Sequence, residues 1–191
     1  MRHATYRKAA KLLAIAVLTL AALGFTACDT RRSEPFDGDP AFRVSQPSRL
    51  YFANIRASSY YFDKPRGTEL EVYRLRKFST TARRPMLVPV IVQAYLKDEA
   101  YVFVRPNDFP GIDPALAVRF ASADTSGTYA LGDGTKPAQL AFAQNLRASV
   151  VRGDSLYLRL SSGGEASIYP TRAERGLLLT VMADYDRLLD K

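Results

Sequence analysis

Alternation of hydrophobic and polar positions dominates the chain after Pro47 and predicts a strand-rich domain. Such alternation turns one face of a strand toward a core and the other toward solvent. The candidate strands are Arg49–Ile55, Glu69–Arg76, Met86–Tyr95, Ala100–Val104, Ala117–Ala121, Thr128–Leu131, Gln139–Ala143, Asp154–Leu160 and Glu165–Tyr169. The nearly continuous apolar run Met86–Tyr95 predicts the most buried strand. Pro89 within it cannot donate a ladder hydrogen bond and indicates an edge or a bulge.

Helical spacing appears at the end of the chain. Thr171 and Glu174 have the capping-box spacing that begins a helix. An apolar stripe at three- and four-residue intervals follows, formed by Leu178, Val181, Met182, Tyr185, Leu188 and Leu189. Asn145–Val151 predicts a second, short helix. The expected fold class is therefore α+β, with a mainly antiparallel sheet, sandwich-like or single, covered by a C-terminal helix.

The first 28 residues carry the most specific pattern in the chain. Four basic residues (Arg2, Arg7, Lys8 and Lys11) precede the apolar run Leu12–Leu23 and then Phe25-Thr26-Ala27-Cys28. Charge, apolar core and small residues in this order predict a secretory signal, and a run of twelve residues is too short for a membrane span. The last four residues resemble the lipobox of bacterial lipoprotein precursors, with Phe25 in place of the usual leucine. The resemblance implies cleavage after Ala27 and a diacylglyceryl group on the Cys28 thiol.

This resemblance divides the chain into three parts. Residues 1–27 are the expected signal peptide, 28–47 the lipidated cysteine and a flexible tether, and 48–191 a single globular α+β domain. The layout loosely resembles that of small envelope lipoproteins of Gram-negative bacteria, which implies a location in the cell envelope. Asp29 resembles an inner-membrane retention signal whose meaning varies between bacterial groups, so inner and outer membrane both remain open.

Charge gives little support for nucleic-acid binding. Four of the 27 basic residues and none of the 19 acidic residues lie in 1–27, so the formal charge falls from +8 to +4 on cleavage. Cys28 is the only cysteine, which excludes an intramolecular disulfide. His3 is the only histidine and leaves with the signal peptide, which excludes His-dependent catalysis and zinc sites built on His or Cys.

Three kinds of site remain compatible with the residues. Paired carboxylates for glycoside hydrolysis would be Asp98 with Glu99, or Asp108 with Asp113. Oxygen-only calcium binding would use Asn107 with Asp108 and Asp113, although these residues also suit turns. An aromatic binding surface would use Tyr60-Tyr61-Phe62. No catalytic, metal-binding or cofactor-binding residue is assigned, and no cofactor is expected.

The leading hypothesis is a membrane-anchored envelope lipoprotein that acts as a non-enzymatic interaction or structural module. Its expected partners are the membrane, through the lipid on Cys28, and an envelope protein or glycan. The alternatives are a carboxylate-dependent glycan hydrolase and a carrier of a small apolar ligand. Clustered exposed aromatics would favour the interaction module. Two converging acids would favour the hydrolase, and an enclosed apolar pocket would favour the carrier.

Overall fold

The computed structural model describes residues 38–78 and 83–191. These residues form eight β-strands and three α-helices. The strands are β1 (Tyr60–Asp63), β2 (Leu70–Leu75), β3 (Leu87–Ala94), β4 (Glu99–Pro106), β5 (Ala117–Ala121), β6 (Ser126–Ala130), β7 (Ser155–Arg159) and β8 (Glu165–Ile168). The helices are α1 (Gln46–Tyr51), α2 (Lys136–Arg152) and α3 (Arg172–Leu188). A π-helical turn, Phe52–Arg56, follows α1, and short 3₁₀ turns occupy Pro40–Phe42, Ala57–Ser59 and Tyr95–Lys97.

The strands form two antiparallel sheets of four strands each. The first sheet has the order β1-β2-β3-β4, and the second has the order β6-β5-β7-β8. Helix α3 contacts β3, β4 and α2, while α2 also contacts β6 and β7. The predicted α+β class, with antiparallel sheets and a C-terminal helix, is confirmed. None of the helices in residues 38–78 and 83–191 is long and apolar enough to cross a bilayer.

Strand β3 is the most buried element, as its sequence predicts, because all eight of its residues are buried. It lies inside the sheet between β2 and β4. At Pro89 itself, however, β3 has a ladder partner only on the β4 side, as at a sheet edge. The β2 ladder ends at Val90, one residue before Pro89 is reached. Opposite Pro89 on β4, the amide of Val104 points out of the sheet and donates to the side chain of Gln139 on α2 at 2.9 Å. Two directly opposed residues of an antiparallel pair direct their amides either both toward the partner strand or both away from it. The Val104 amide points away from β3, so the Pro89 nitrogen points away from β4, toward the side where the β2 ladder has ended.

Buried apolar and outward-facing residues alternate along the strands of the second sheet, as expected for a sheet with one face in the core. Val118, Leu156, Leu158 and Ile168 are at most 1% exposed on its inner face, and polar residues occupy the outer face. Gly127 on β6 lies opposite Phe120 on β5. A Cβ on Gly127 would lie only 2.7 Å from the Phe120 ring, so this position requires the absence of a side chain.

Helix α3 begins with the predicted capping box. The Thr171 hydroxyl accepts from the Glu174 amide, and the Glu174 carboxylate accepts from the Thr171 amide. Arg84 also donates to this carboxylate. Burial raises the pKa of Glu174, but the hydrogen bonds from Arg84 and Thr171 lower it by more, so it lies below its ordinary value. The predicted apolar stripe of α3 is buried throughout, from Leu178 to Leu189.

Two predicted strands are helices in the structure. Arg49–Ile55 belongs to α1 and the π-helical turn, and Gln139–Ala143 belongs to α2, which also contains the predicted helix Asn145–Val151. Both helices begin with a hydroxyl cap, since Ser45 accepts from the amide of Ser48 and Thr135 accepts from that of Ala138. Each also has a proline in its first turn, where the missing N–H is not needed. These helix-start signals prevail over local alternation.

The folded domain starts before the predicted boundary at residue 48. Phe42 and Val44 are 2% and 3% exposed, although both lie in the segment interpreted as a flexible tether. The backbone of Arg43, between them, forms an isolated antiparallel β-bridge with Glu99 at the start of β4. The chain from Pro40 to Pro47 is therefore part of the domain because two apolar side chains fix it there. The signal peptide, Cys28 and the first part of the tether lie outside the described residues.

Candidate functional site

A groove forms where three distant parts of the chain meet. Its walls are the segment Pro40–Arg49, the turn Tyr95–Asp98 between β3 and β4, and the chain end at Leu189 and Asp190. Its volume is about 740 Å³, within the range typical of ligand sites. We call it the N-terminal groove. The buried side chains of Phe42 and Val44 hold the first wall against the start of β4.

Arg49 organises this groove. Its guanidinium donates to the Asp98 carboxylate at 2.6 Å and lies 4.8 Å from the centre of the Tyr95 ring. The Arg49 side chain is 17% exposed, and its Nε is buried with no hydrogen-bond partner among the described residues. A guanidinium suits this position because it pairs with a carboxylate and stacks on a ring at once. The contact fixes α1 against the β3–β4 turn.

The turn itself has an unusual backbone. Asp98 adopts a left-handed conformation, with φ of 49°, which aspartate tolerates better than most residues. Its carbonyl accepts from the amide of Val44 at 2.8 Å. Tyr95 and Leu96, earlier in the same turn, are 55% and 74% exposed.

Large apolar side chains remain exposed beside the groove. Leu50 and Ile55, on α1 and the turn that follows it, are 54% and 57% exposed, comparable with Tyr95 on the opposite wall. The contact between Arg49 and Tyr95 joins the two parts of the chain that carry these side chains. We define the apolar rim as Leu50, Ile55, Tyr95 and Leu96. Large exposed apolar side chains are a feature of interaction surfaces.

Asp98 and Glu99, one of the two carboxylate pairs predicted for hydrolysis, form ion pairs with different cations. Asp98 pairs with Arg49, while Glu99 is 5% exposed and pairs with Lys136 at 2.5 Å. A second carboxylate of the groove, Asp190, accepts from the Ser48 hydroxyl. Hydrogen bonds from Ser48 and then Ser45 lower the pKa of Asp190. A glycosidase acid requires a raised pKa, so Asp190 does not suit that role.

The proposed calcium ligands serve the loop in which they lie. Asn107 is buried, its side-chain oxygen accepts from the amide of Met86 at 3.1 Å, and its amide nitrogen donates to Arg84. Asp113 accepts from the backbone of Ala115 at 2.9 Å, and Asp108 is exposed. In the part of the chain that the structure describes, no three His, Cys, Asp or Glu residues form a group suited to a metal. The turn-forming interpretation of these residues therefore fits better than calcium binding.

The aromatic run Tyr60-Tyr61-Phe62 forms β1 and divides between core and surface. Tyr60 is 1% exposed, and its hydroxyl donates to Asp184 on α3 at 2.7 Å. Tyr61 is 47% exposed, and the guanidinium of Arg74 lies 4.7 Å from its ring centre. Phe62 is also exposed. The run is therefore not one continuous aromatic surface.

No protein-family model, curated protein or solved structure matches this chain. The functional interpretation therefore depends on the residues and their geometry. Sequence reasoning missed the organising role of Arg49 and the exposure of Leu96. An apolar Leu96 immediately before the charged turn Lys97-Asp98-Glu99 is the signal that marks this position, because turns seldom carry large apolar side chains.

Proposed function

We propose that this protein is an envelope lipoprotein, anchored through lipid on Cys28, whose folded domain is a non-enzymatic interaction module. The anchor rests on the charged, apolar and small residues that precede Cys28. The domain is packed from Pro40 onward, and Gly38 lies ten residues after Cys28. Ten residues span at most about 36 Å whatever their conformation, so Gly38 stays within that distance of the lipidated residue.

The apolar rim carries the interaction part of the proposal. Leucine and isoleucine do not stack on sugars as flat rings do, so a rim of Leu50, Ile55, Tyr95 and Leu96 suits a protein partner better than a glycan. Tyr95, and Arg49 in contact with it, belong to the residue types that contribute most to protein interfaces. The charged lining of the N-terminal groove does not suit an apolar ligand, and its paired carboxylates do not suit hydrolysis.

The anchor is tested by the intact mass of protein from the membrane fraction of the native host. We expect the wild type to begin at Cys28 with added diacylglyceryl mass, and Cys28→Ser to lose both that start and that mass. Wild-type protein that begins elsewhere without added lipid would overturn the anchor.

The interaction module is tested by photo-crosslinking with benzoylphenylalanine in native membranes. The probe replaces Leu96 on the rim or, as a matched control, the exposed Ser167 on the outer face of the second sheet. We expect one discrete protein adduct from position 96, none from position 167, and loss of the adduct when Leu50→Asp is added. Because Leu50 is 54% exposed, this substitution leaves the thermal midpoint unchanged. Equal labelling from both positions would refute the assignment of the rim.

A further inference from the structure

Strand β6 forms an edge of the second sheet, and its outer side has no strand beside it among the described residues. In the β5–β6 hairpin, the Ser122 amide donates to the Thr125 carbonyl at 2.8 Å, so the backbone groups of Thr125 face β5. These groups alternate in direction along a strand. Ser126, Thr128 and Ala130 therefore direct both their N–H and their C=O groups away from β5. Within residues 38–78 and 83–191, these outward groups have no hydrogen-bond partner.

Strand β8, at the other edge of the same sheet, is protected by two arginines. The carbonyl of Ser167 accepts from the guanidinium of Arg84 at 3.5 Å. The carbonyl of Tyr169, directly after the strand, accepts from Arg175 at 3.0 Å. These side chains occupy the backbone acceptors that an added strand would need.

The edges of the first sheet are protected as well. On β4, the Val104 amide donates to Gln139, and the last residue of the strand is Pro106, which has no N–H. On β1, the Tyr60 amide donates to the Ala57 carbonyl in the preceding turn. Natural sheets avoid unwanted pairing by devices of this kind.

Strand β6 carries none of these devices. Its five residues, Ser126–Ala130, include no proline and no charged side chain. The side chains of Ser126, Thr128 and Ala130 are small and exposed, so they leave the edge accessible. An edge of this kind accepts another strand, because the added strand provides partners for the outward N–H and C=O groups.

The exposed face of α2 beside this edge is poor in charge. Arg152 marks its position, because its guanidinium donates to the hydroxyl of Tyr129 on β6 at 3.2 Å. Ala141, Asn145 and Ala148 precede Arg152 at four- and three-residue spacing, which places them on one face of the helix, and all three are exposed. Solvent-facing helix positions normally carry charged side chains. Small uncharged residues instead allow the helix of a neighbouring molecule to approach closely.

We infer that two copies of this chain associate through antiparallel pairing of β6 with β6 of the second copy, about a twofold axis. Thr128 of the two copies is opposed on this axis, and Ser126 of each copy lies opposite Ala130 of the other. All three pairs are then hydrogen-bonded pairs that exchange both N–H···O=C bonds, so each outward backbone group of β6 gains a partner. The two sheets join into one across the axis.

A second copy suits this edge because the edge is complementary to itself. No like charges are opposed, since β6 has no charged residue. On the inner face, Tyr129 of one copy lies opposite Gly127 of the other, so a large side chain is opposed by a residue that has none. One strand pair with a helix face is a small interface, so we expect reversible association that depends on protein concentration. The inference does not depend on lipidation of Cys28 or on the apolar rim.

Amide hydrogen exchange of the full-length protein in a non-ionic detergent, followed by NMR at low and high protein concentration, tests the pairing. We expect exchange of the Ser126, Thr128 and Ala130 amides to slow about tenfold once only about a tenth of the chains remain monomeric. A mixture of ¹³C-labelled and unlabelled protein should show an intermolecular NOE between the Hα atoms of Gly127 and Tyr129, which this register places opposite each other.

Two variants make the result specific. Thr128→Lys opposes two ammonium groups on the axis and should raise the dissociation constant of the dimer about tenfold or more, as measured by sedimentation equilibrium. Ser167→Lys is the matched control, because Ser167 is also an exposed hydroxyl residue of the second sheet but lies on the protected edge strand β8. It should leave the dissociation constant unchanged. Both variants should keep the circular dichroism spectrum of the wild type, since both side chains are exposed.

A chain that remains monomeric at every concentration overturns the inference. So does a dimer that Thr128→Lys leaves intact, or one without the NOE between Gly127 and Tyr129. Benzoylphenylalanine in place of Thr128 identifies the occupant of the edge in native membranes. An adduct with twice the mass of the chain supports the inference, whereas an adduct of another mass shows that a strand of a different protein pairs with β6 and overturns it.

Discussion

The carboxylate of Asp184 is the contact whose loss we expect to destabilise this domain most clearly. Asp184 lies on α3 with its side chain 2% exposed. Both carboxylate oxygens accept from Arg56 at 2.8 Å, and one also accepts from the Tyr60 hydroxyl at 2.7 Å. Burial, reinforced by this hydrogen bond, raises the pKa of the Tyr60 phenol, which therefore remains a donor at neutral pH. One side chain thus joins α3 to the π-helical turn and to β1.

The magnitude follows from the groups that Asp184→Ala would leave behind. The Tyr60 hydroxyl is buried and would lose its acceptor, which costs about 1–3 kcal/mol. Arg56 is 26% exposed and can partly rehydrate when Asp184 is removed. The stability lost with its hydrogen bonds to Asp184 therefore lies at the lower end of the range of about 1.5–3 kcal/mol for a charged hydrogen bond. The free energy of unfolding should therefore fall by about 3–4 kcal/mol, as for other buried ion pairs that lose one partner. Asp184→Asn keeps an acceptor for Tyr60 and should lower the free energy of unfolding by about half as much.

Urea unfolding followed by circular dichroism measures this effect at neutral pH. A double-mutant cycle of Asp184→Ala with Tyr60→Phe isolates their interaction and should show clear non-additivity. The matched control is Glu165→Gln, which breaks the exposed Arg119–Glu165 ion pair on the second sheet and should leave the midpoint unchanged. A loss below about 1 kcal/mol for Asp184→Ala, or strict additivity in the cycle, would refute the assignment of Asp184 as the link.

Three further substitutions test other contacts by the same unfolding measurement. Gly127→Ala places a Cβ against the Phe120 ring and should lower stability by about 1–2 kcal/mol; added Phe120→Leu should restore part of it, and no effect of Gly127→Ala would contradict the close approach. Gln139→Leu leaves the Val104 amide without its acceptor and should cost about 1–3 kcal/mol, whereas a neutral result would mean that water replaces the side chain. The folded pKa of Glu174 lies below its ordinary value of 4.5, so its contribution is present above that pH and is lost as pH falls through the folded pKa. Glu174→Gln, which can still form the capping box, should therefore lose less stability on acidification than the wild type, and parallel pH profiles would contradict this.

The sequence by itself determined the elements whose signals are local. Continuous apolar character identified β3, alternation identified β2 and β5, and the Thr171 capping box with its stripe identified α3. The same local reasoning failed at Arg49–Ile55 and Gln139–Ala143, because hydroxyl caps and first-turn prolines decide between helix and strand more strongly than a short alternation. Phe42 and Val44 were missed because two apolar residues between polar ones carry no periodic signal.

Only the tertiary structure decided which side chains meet. Arg49 reaches Asp98 across 49 positions of sequence, and Arg56 reaches Asp184 across 128. The N-terminal groove depends on such meetings, and so does the difference between the buried Asp184 and the exposed Asp98. Local propensity contains no information about these pairs, because their proximity results from the packing of α1, the π-helical turn and α3 around the first sheet. The predicted role of Cys28 differs from these pairs, because it depends only on residues next to Cys28 in the sequence.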